Sequence, residues 1–217
     1  MVEHVYRRAC DARSLSRVII ATDDMRVFEA VRAFGGDVVM TSPHHRTGSE
    51  RVAEVASGLD DEFIVNVQGD EPLMSPSMID DAVAACAADA QVVMSTVRRR
   101  ITDPSDIHNP AVVKVVCDLA GRALYFTRAN VPFVRDAGAT ATWYKHIGLY
   151  VYRRNFLLHV TGLAPTPLER AESLEQLRVL EHGYAIVTVE TTDDALGVDT
   201  PDDLERIRRV VAASSFD

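Results

Sequence analysis

The sequence predicts an α/β fold, a mixed sheet with helices on both faces. In the first half of the 217-residue chain, short β-branched runs alternate with amphipathic segments, which is the pattern of βαβ units. From Val92 onward several strands follow one another, and two of them flank the turn-like segment Asp118–Gly121. We therefore expect a single domain of residues 1–217 with an inserted β-hairpin lobe at about 98–143.

The alternating half begins in a helix, Val2–Ala12, whose apolar residues form a helical stripe. No strand precedes this helix, although a doubly wound sheet usually grows from a first, central strand whose following loop binds phosphates. We therefore expect the first central strand to be missing. The elements predicted next are strand Arg17–Ala21, helix Asp24–Phe34, strand Asp37–Met40, a helix from the capping signature Thr47/Glu50 to Ser57, strand Phe63–Val67 and a helix opening at Ser75-Pro76.

The second half is richer in strands. Its last helix is predicted to begin at Thr200-Pro201, with Thr200 as the cap and Pro201 at the first helical position. The predicted elements are strands Val92–Val97, Val113–Cys117, Ala123–Thr127, Tyr144–Arg153 and Ala185–Val189, and helices Glu169–Glu181 and Thr200–Val211.

Composition excludes several classes of protein. The net charge of −9 disfavours binding to nucleic acid or to an anionic membrane. Apolar stretches fall far short of the ~20 residues that cross a bilayer, and the start lacks a signal pattern, so we expect a cytoplasmic protein. The three cysteines, Cys10, Cys86 and Cys117, are too widely spaced for a disulfide framework or a zinc site and are predicted to be small core residues.

Two carboxylates are candidates for a metal site. Asp70 follows the buried strand Phe63–Val67 and Gly69, at the end where open α/β sheets bind ligands, although such sequences also form plain turns. Asp199 precedes the predicted cap Thr200, which leaves its own carboxylate free. Mg²⁺ is typically held by one or two protein carboxylates, so Asp70 and Asp199 together predict a magnesium site.

A second group of polar side chains is suited to a hydroxyl-rich or anionic ligand. His146 and Tyr150 share one face of strand Tyr144–Arg153, although a lone histidine in a strand is usually structural. Gln176 falls at the margin of the core stripe of its helix and must find partners for its amide. Arg128, at the end of a strand, is the best-placed cation for a substrate carboxylate, and its alternative is a surface ion pair.

Weaker signals surround these residues. Gly48 and Arg51 begin a helix with free backbone N–H groups, and Asp23 ends a strand, so all three could line a nucleotide pocket. Helix caps and strand ends contain such residues routinely. Glu175 and Arg178 could form a solvated helix face.

Eight blocks in order along nearly the whole chain carry a family resemblance. The chain resembles the 3-deoxy-manno-octulosonate (Kdo) cytidylyltransferases, or CMP-Kdo synthetases. The blocks are Ile19–Asp23, Thr47–Arg51, Ile64–Pro72, Asn109–Val115, Ala123–Ala129, His146–Tyr152, Leu174–Leu180 and Gly197–Leu204.

The resemblance implies a Rossmann-like nucleotidyltransferase fold and an enzyme that makes CMP-Kdo and pyrophosphate from CTP and Kdo for lipopolysaccharide biosynthesis. It further implies Mg²⁺ as cofactor, in-line attack of the Kdo anomeric hydroxyl on the α-phosphate, and a homodimer formed through the inserted hairpin region. Residue by residue, it implies Asp70 and Asp199 as the catalytic metal ligands, Gln68, Arg128, His146, Tyr150, Glu175 and Gln176 as the sugar-acid pocket, and Asp23, Gly48 and Arg51 as part of the nucleotide pocket.

The N-terminus departs from the family pattern. Family members begin with a strand and a basic loop that holds the CTP phosphates, whereas this chain opens in the helix that follows them. The expectation is a misassigned start at Met1 or a truncation, and in either case these 217 residues alone should bind CTP poorly. The alternatives are an enzyme that activates another acid sugar, such as sialate, and a noncatalytic binding module.

Overall fold

The computed structural model describes residues 1–136, 138–195, 197–198 and 201–214. Its helices are α1 (Val2–Cys10), α2 (Met25–Ala33), α3 (Gly48–Ser57), α4 (Pro76–Ala87), α5 (Pro104–His108), α6 (Arg154–Thr161), α7 (Pro167–Glu172), α8 (Gln176–Glu181) and α9 (Pro201–Ser214). Its strands are β1 (Ile20–Thr22), β2 (Val38–Met40), β3 (Phe63–Val67), β4 (Met94–Arg100), β5 (Lys114–Cys117), β6 (Ala123–Thr127), β7 (Tyr144–Arg153) and β8 (Ile186–Thr191).

The main sheet is mixed and is organised around β7. This strand pairs antiparallel with β3, β4 and β5, while β4 also pairs in parallel with β8. The hairpin of β5 and β6 extends the sheet from β7, and β1 and β2 form a separate parallel pair. The predicted mixed sheet with an added hairpin is confirmed.

Alternating side chains on β7 divide the core between the two faces of the sheet. Ile147, Leu149 and Val151 lie in one cluster with buried side chains of α1 and α4, as the alternation predicts. Tyr152 lies in the other cluster with buried side chains of α3, α6 and α8. Helices therefore cover both faces of the sheet. Among the described residues, no helix is both long and apolar enough to span a membrane.

The prediction of one continuous helix over Glu169–Glu181 is wrong, because the structure has two helices there, α7 and α8. Ser173 separates them in the left-handed conformation, with φ 54° and ψ 51°. The Glu172 carboxylate accepts hydrogen bonds from Thr127 Oγ1 (2.6 Å) and from the Arg128 N–H (3.0 Å). These contacts tie the end of α7 to the end of β6 and redirect the chain.

Smaller departures concern strand bounds and one cysteine. The strand expected from Arg17 begins only at Ile20, and Arg17 instead forms an ion pair with Asp61 at 2.8 Å. Cys86 is buried as predicted, whereas Cys10, which was expected in the core, is exposed at the end of α1.

A slot separates the small sheet from the large one. Within the described part of the chain, β1 pairs only with β2, and β3 pairs only with β7. A cavity of about 500 Å³ lies between the other edges of β1 and β3. Its apolar lining includes Ile20, Ala21, Val52, Val65 and Val67. An apolar slot thus lies between β1 and β3, and α3, which packs on both of these strands, holds the two sheets side by side.

The register of β3 determines which of its amides face the slot. The Arg154 N–H donates to the Glu62 carbonyl at 2.9 Å, so this pair is hydrogen-bonded. Hydrogen-bonded pairs alternate along antiparallel strands, so the N–H groups of Ile64 and Asn66 point toward β7. Those of Val65 and Val67 point away from β7, into the slot.

We predict an alternation in hydrogen exchange along β3. The amides of Val65 and Val67 should exchange at least about tenfold faster than those of Ile64 and Asn66, because only the latter are bonded to a neighbouring strand. Residue-resolved exchange measured by NMR checks this. Equal protection of all four amides would mean that the slot edge of β3 is covered.

Candidate functional site

Gln68 lies at the centre of the candidate site. It follows β3 directly, and its Nε2 donates to Asn66 Oδ1 at 3.1 Å. Asn66 is itself buried in the middle of β3, and its amide contacts Ser49 of α3 at 3.5 Å. A chain of polar groups inside the core therefore orients the Gln68 side chain.

Two glycines allow the close approach of Gln68 to its neighbours. A Cβ atom at Gly48, the first residue of α3, would lie 3.3 Å from both Gln68 amide heteroatoms. A Cβ atom at Gly148 of β7 would lie 3.7 Å from Gln68 Cγ. The side chain thus occupies the space between the start of α3 and the middle of β7, and a Cβ atom would be tight against it at Gly48 but in ordinary contact at Gly148.

Asp70 lies in the turn that follows Gln68 and Gly69. Its carboxylate is partly buried and makes no hydrogen bond or ion pair with any residue that the structure describes. Its backbone carbonyl accepts a hydrogen bond of 2.9 Å from the N–H of Val198. Val198 immediately precedes Asp199, which lies outside the described residues. The fold therefore brings the chain on the N-terminal side of Asp199 against the Asp70 turn.

The donor chemistry at Asp70 suits a hard cation. A carboxylate at the end of a strand, without a partner among the described residues, is the type of ligand that Mg²⁺ takes. Within the described ranges, no group of three or more His, Cys, Asp or Glu side chains could hold a metal ion.

The nucleotide candidates lie together at one end of the slot. Asp23 follows β1, and its Oδ2 lies 3.0 Å from Arg51 Nη2. Arg51 Nη1 donates to Thr41 Oγ1 at 2.6 Å, which ties α3 to the end of β2. Gly48, Arg51 and Gln68 all line the slot. Gly48 and Arg51 therefore border the same space as Gln68, and Asp23 is connected to it through its ion pair with Arg51.

His146 is held as a neutral ring on β7. Its Nε2 lies 2.9 Å from Thr96 Oγ1, and Phe126 packs edge-on against it with ring centroids 5.0 Å apart. Tyr150 lies on the other side, with ring centroids 5.3 Å apart. Burial lowers the pKa of His146 to about 3. The imidazole is therefore uncharged at neutral pH and acts as a dipole rather than a cation.

Tyr150 connects this ring to Gln176. The Tyr150 hydroxyl donates to Gln176 Oε1 at 3.2 Å, and burial raises the pKa of Tyr150 well above its ordinary value. Gln176 begins α8 and is 3% exposed, so it is more buried than the helical stripe predicts. Its Nε2 group is buried and has no hydrogen-bond partner among the described residues. An orphaned amide of this kind is a binding group that awaits an acceptor.

Arg128 is clamped by backbone rather than paired with a surface carboxylate. Its Nε donates to the Glu172 carbonyl and its Nη1 to the Pro110 carbonyl, both at 3.0 Å. Glu175 is partly buried and immediately precedes Gln176. The solvated face suggested for Arg178 is wrong, because Arg178 is buried and forms a bidentate pair with Glu169 at 2.6 and 2.8 Å.

Three residues of this site were not predicted from the sequence. Thr96, the partner of His146, lies within β4 and gives no separate signal. Asn66 could have been found as the single amide within the run Phe63–Val67. Glu71 follows Asp70, and its carboxyl group lies beside Gly148 and Gly197, 3.9 and 3.6 Å from where their Cβ atoms would be.

Comparison with known proteins shows the family to which the chain belongs. A family model described as cytidylyltransferase matches residues 1–190. The 3-deoxy-manno-octulosonate cytidylyltransferase of Geobacter metallireducens is 54% identical over 217 aligned positions, which cover 95% of this chain and 85% of the relative. The chain belongs to the cytidylyltransferase family. The predicted resemblance, and with it the prediction of a nucleotidyltransferase, is confirmed.

Other relatives of this cytidylyltransferase agree. The 3-deoxy-manno-octulosonate cytidylyltransferase of Solibacter usitatus is 54% identical, over 99% of this chain and 85% of the relative. A solved CMP:2-keto-3-deoxy-manno-octonic acid synthetase complexed with CTP superposes with a TM-score of 0.93 at 38% identity, covering 98% of this chain and 88% of the other. A 4-diphosphocytidyl-2C-methyl-D-erythritol synthase from Anaerococcus prevotii, at 12% identity and a TM-score of 0.62, shares the fold.

The neutral state of His146 predicts a pH dependence of the cytidylyltransferase's stability. The unfolded chain protonates this residue near pH 6.5 and the folded chain only near pH 3. Its contribution to folding is therefore complete above pH 6.5 and is lost as the pH falls from 6.5 toward 3, by up to about 1.4 kcal/mol per pH unit.

His146→Gln keeps a hydrogen-bonding side chain beside Thr96 but does not titrate. Urea unfolding at pH 7, 6 and 5 should therefore show a steeper loss of stability for the unmodified chain than for this variant. Identical pH slopes for the two proteins would contradict the burial of a neutral imidazole.

Proposed function

We propose that the chain transfers the cytidylyl group from CTP to Kdo, with the sugar bound by Gln68, Arg128, His146, Tyr150, Glu175 and Gln176, and Mg²⁺ held by Asp70 and Asp199. The observation that carries the sugar assignment is the buried Nε2 of Gln176, which has no hydrogen-bond partner among the described residues and lies beside the Tyr150 hydroxyl. A sugar hydroxyl would supply the missing acceptor. The relatives' names supply the identity of the sugar.

The charge distribution of the pocket suits a polyhydroxylated acid. His146 and Tyr150 are neutral at physiological pH, so they exchange hydrogen bonds with hydroxyl groups without adding charge. Arg128 is the cation of the set, and its Nη2 donates to no described residue, which leaves a donor for the substrate carboxylate. Neutral donors for hydroxyls and one guanidinium for a carboxylate match the two kinds of group on Kdo.

The reaction consists of one displacement at phosphorus. The anomeric hydroxyl oxygen forms a bond to the α-phosphorus of CTP, the bond to the β-phosphate oxygen breaks, pyrophosphate leaves, and the hydroxyl proton is released. The chain's own residues bind and orient the two reactants for in-line attack. When bound, Mg²⁺ would neutralise the developing phosphate charge and lower the pKa of the hydroxyl.

Asp23, Gly48 and Arg51 are assigned to the nucleotide. Gly48 and Arg51 border the slot where Gln68 meets α3, and Asp23 pairs with Arg51, so a nucleotide there would lie beside the sugar pocket. The backbone N–H groups at the start of α3 favour an anionic group.

The homodimer and the cytoplasmic location remain part of this proposal. Among the described residues between 98 and 143, three large apolar side chains are exposed, namely Leu119, Leu124 and Phe133. Exposed apolar groups on one lobe are typical of an interaction surface, which supports association of two copies through the hairpin region. Sedimentation equilibrium measures this directly.

The metal assignment predicts the behaviour of two variants. Asp70→Asn and Asp199→Asn should each lower kcat by at least about 100-fold and remove the dependence of the residual rate on Mg²⁺, because an amide is a poorer ligand than a carboxylate. Asp60→Asn, an exposed loop change, is the matched control and should behave as the unmodified chain. Near-normal, Mg²⁺-dependent turnover in either active-site variant would contradict the assignment.

The sugar pocket predicts a selective effect at Gln176. Gln176→Leu keeps the approximate volume but removes the orphaned donor, so the KM for Kdo should rise about tenfold at saturating CTP while the KM for CTP changes less than twofold. Gln91→Leu, the same substitution at an exposed site, should leave both constants unchanged. An unchanged KM for Kdo in Gln176→Leu would return Gln176 to a structural role.

A further inference from the structure

Lys114 is a fully buried lysine on β5 that the proposed reaction does not use. Its Nζ donates three hydrogen bonds to backbone carbonyls, those of Asn109 (2.9 Å), Val112 (2.7 Å) and Arg128 (2.7 Å). Three donors thus meet three acceptors. Lys114 forms no ion pair with a carboxylate of the described residues, and its three hydrogen bonds all go to neutral carbonyls.

Burying an ammonium group without a counter-ion is costly. Burial lowers the pKa of Lys114, and the charge of Arg128 lowers it further, while the charges of Asp106 and Glu172 oppose the shift. An apolar residue of similar length would fill the same space without this cost, but it would remove a donor from three carbonyls. Of these, the carbonyl of Asn109 would keep the N–H of Val112 as a donor, at 3.2 Å. The lysine therefore serves to hold these three carbonyls together through hydrogen bonds, rather than to pack an apolar space.

The three carbonyls belong to the segments that hold Arg128. Asn109 and Val112 bracket a turn, and the carbonyl of Pro110 within this turn accepts from Arg128 Nη1 at 3.0 Å. The third carbonyl is that of Arg128 itself. Lys114 thus fixes both the backbone that carries the guanidinium and the turn that holds one end of it.

The other side of Arg128 is fixed by the end of α7. Its Nε donates to the Glu172 carbonyl, and its backbone N–H donates to the Glu172 carboxylate, both at 3.0 Å. Glu172 lies only four residues before Gln176. The hydrogen bonds from Lys114 through Arg128 to Glu172 therefore connect Arg128 to the segment that leads to Gln176, another residue of the proposed sugar pocket.

We infer that Lys114 is a positioning residue that sets Arg128 for the carboxylate of the acid sugar. The inference rests on the proposed function, in which Arg128 binds that carboxylate. Lys114 does not touch the substrate. It acts through the three carbonyls, and its removal releases the turn and the guanidinium together, because small displacements of an oriented group strongly weaken binding.

Lys114→Met removes the three donors and keeps an unbranched apolar chain. We expect the KM for Kdo to rise at least about tenfold at saturating CTP, with the KM for CTP within twofold of that of the unmodified chain. Lys145→Met is the matched control. It removes the lysine that pairs with Lys114 across β5 and β7 and that binds Asp194, and it should leave both constants unchanged.

A lower melting temperature of Lys114→Met with both KM values unchanged would overturn the inference, because a merely structural lysine gives that result. If this variant does not fold, Lys114→Gln, which keeps a shorter side chain with two donors, replaces it and should raise the KM for Kdo in the same selective way. Unchanged constants in Lys114→Gln would also overturn the inference.

The variant Arg128→Gln distinguishes a failure of the role inferred for Lys114 from a failure of the proposed function on which that role rests. If Arg128→Gln raises the KM for Kdo and Lys114→Met does not, the role of Lys114 is wrong while the sugar pocket stands. If neither raises it, the assignment of Arg128 to the sugar is wrong. In the double variant, we expect no further rise beyond that of Arg128→Gln, since Lys114 acts through Arg128, and additive effects would contradict that route.

Discussion

The pairing of β7 with three other strands is the constraint on which the rest of the structure depends. Its residues bond to β3 and β5 on one side and to β4 on the other, so the strand is held by neighbours along most of its length. The register with β4 shifts between Thr96 and Val97, opposite the segment of β7 that contains Gly148. This irregularity lies between His146 and Tyr150, and Gln68 fills the space there. Backbone pairing thus determines where the site residues meet.

The site combines a neutral, hydrogen-bonding interior with isolated charges at its margins. His146, Tyr150 and Gln176 form a connected set without net charge, and burial keeps the first two neutral. Arg128 and Asp70 lie outside this set, each held through its backbone by other parts of the chain. Such a division suits an acid sugar on one side and a phosphate-bound cation on the other.

In this chain, sequence patterns predict local structure more completely than they predict which distant residues meet in the fold. The apolar run of β3 and the alternation of β7 gave the bounds Phe63–Val67 and Tyr144–Arg153 that the structure has. The break at Ser173 could not be predicted, because it depends on contacts of Glu172 with residues 44 and 45 positions away in the chain.

The same distinction holds for the site. Motif residues such as Asp70 and Gln176 are recognisable in the sequence, but the contact of Gln68 with both Gly48 and Gly148 requires three separate elements to meet. The burial of Lys114 is even harder to predict, because nothing in the sequence indicates that a lysine in this strand is fully buried. Its three carbonyl partners become visible only when the folded backbone is known.

Product formation from a panel of acid sugars tests the central claim most directly. The chain, CTP and Mg²⁺ would be incubated with Kdo or with a sialate, and the CMP-sugar and pyrophosphate formed would be measured together. The account predicts equal amounts of CMP-Kdo and pyrophosphate, with a kcat/KM for Kdo at least about 100-fold above that for sialate, because a buried hydrogen-bonding pocket discriminates strongly between polar substrates. Equal use of both sugars, or preference for sialate, would contradict it.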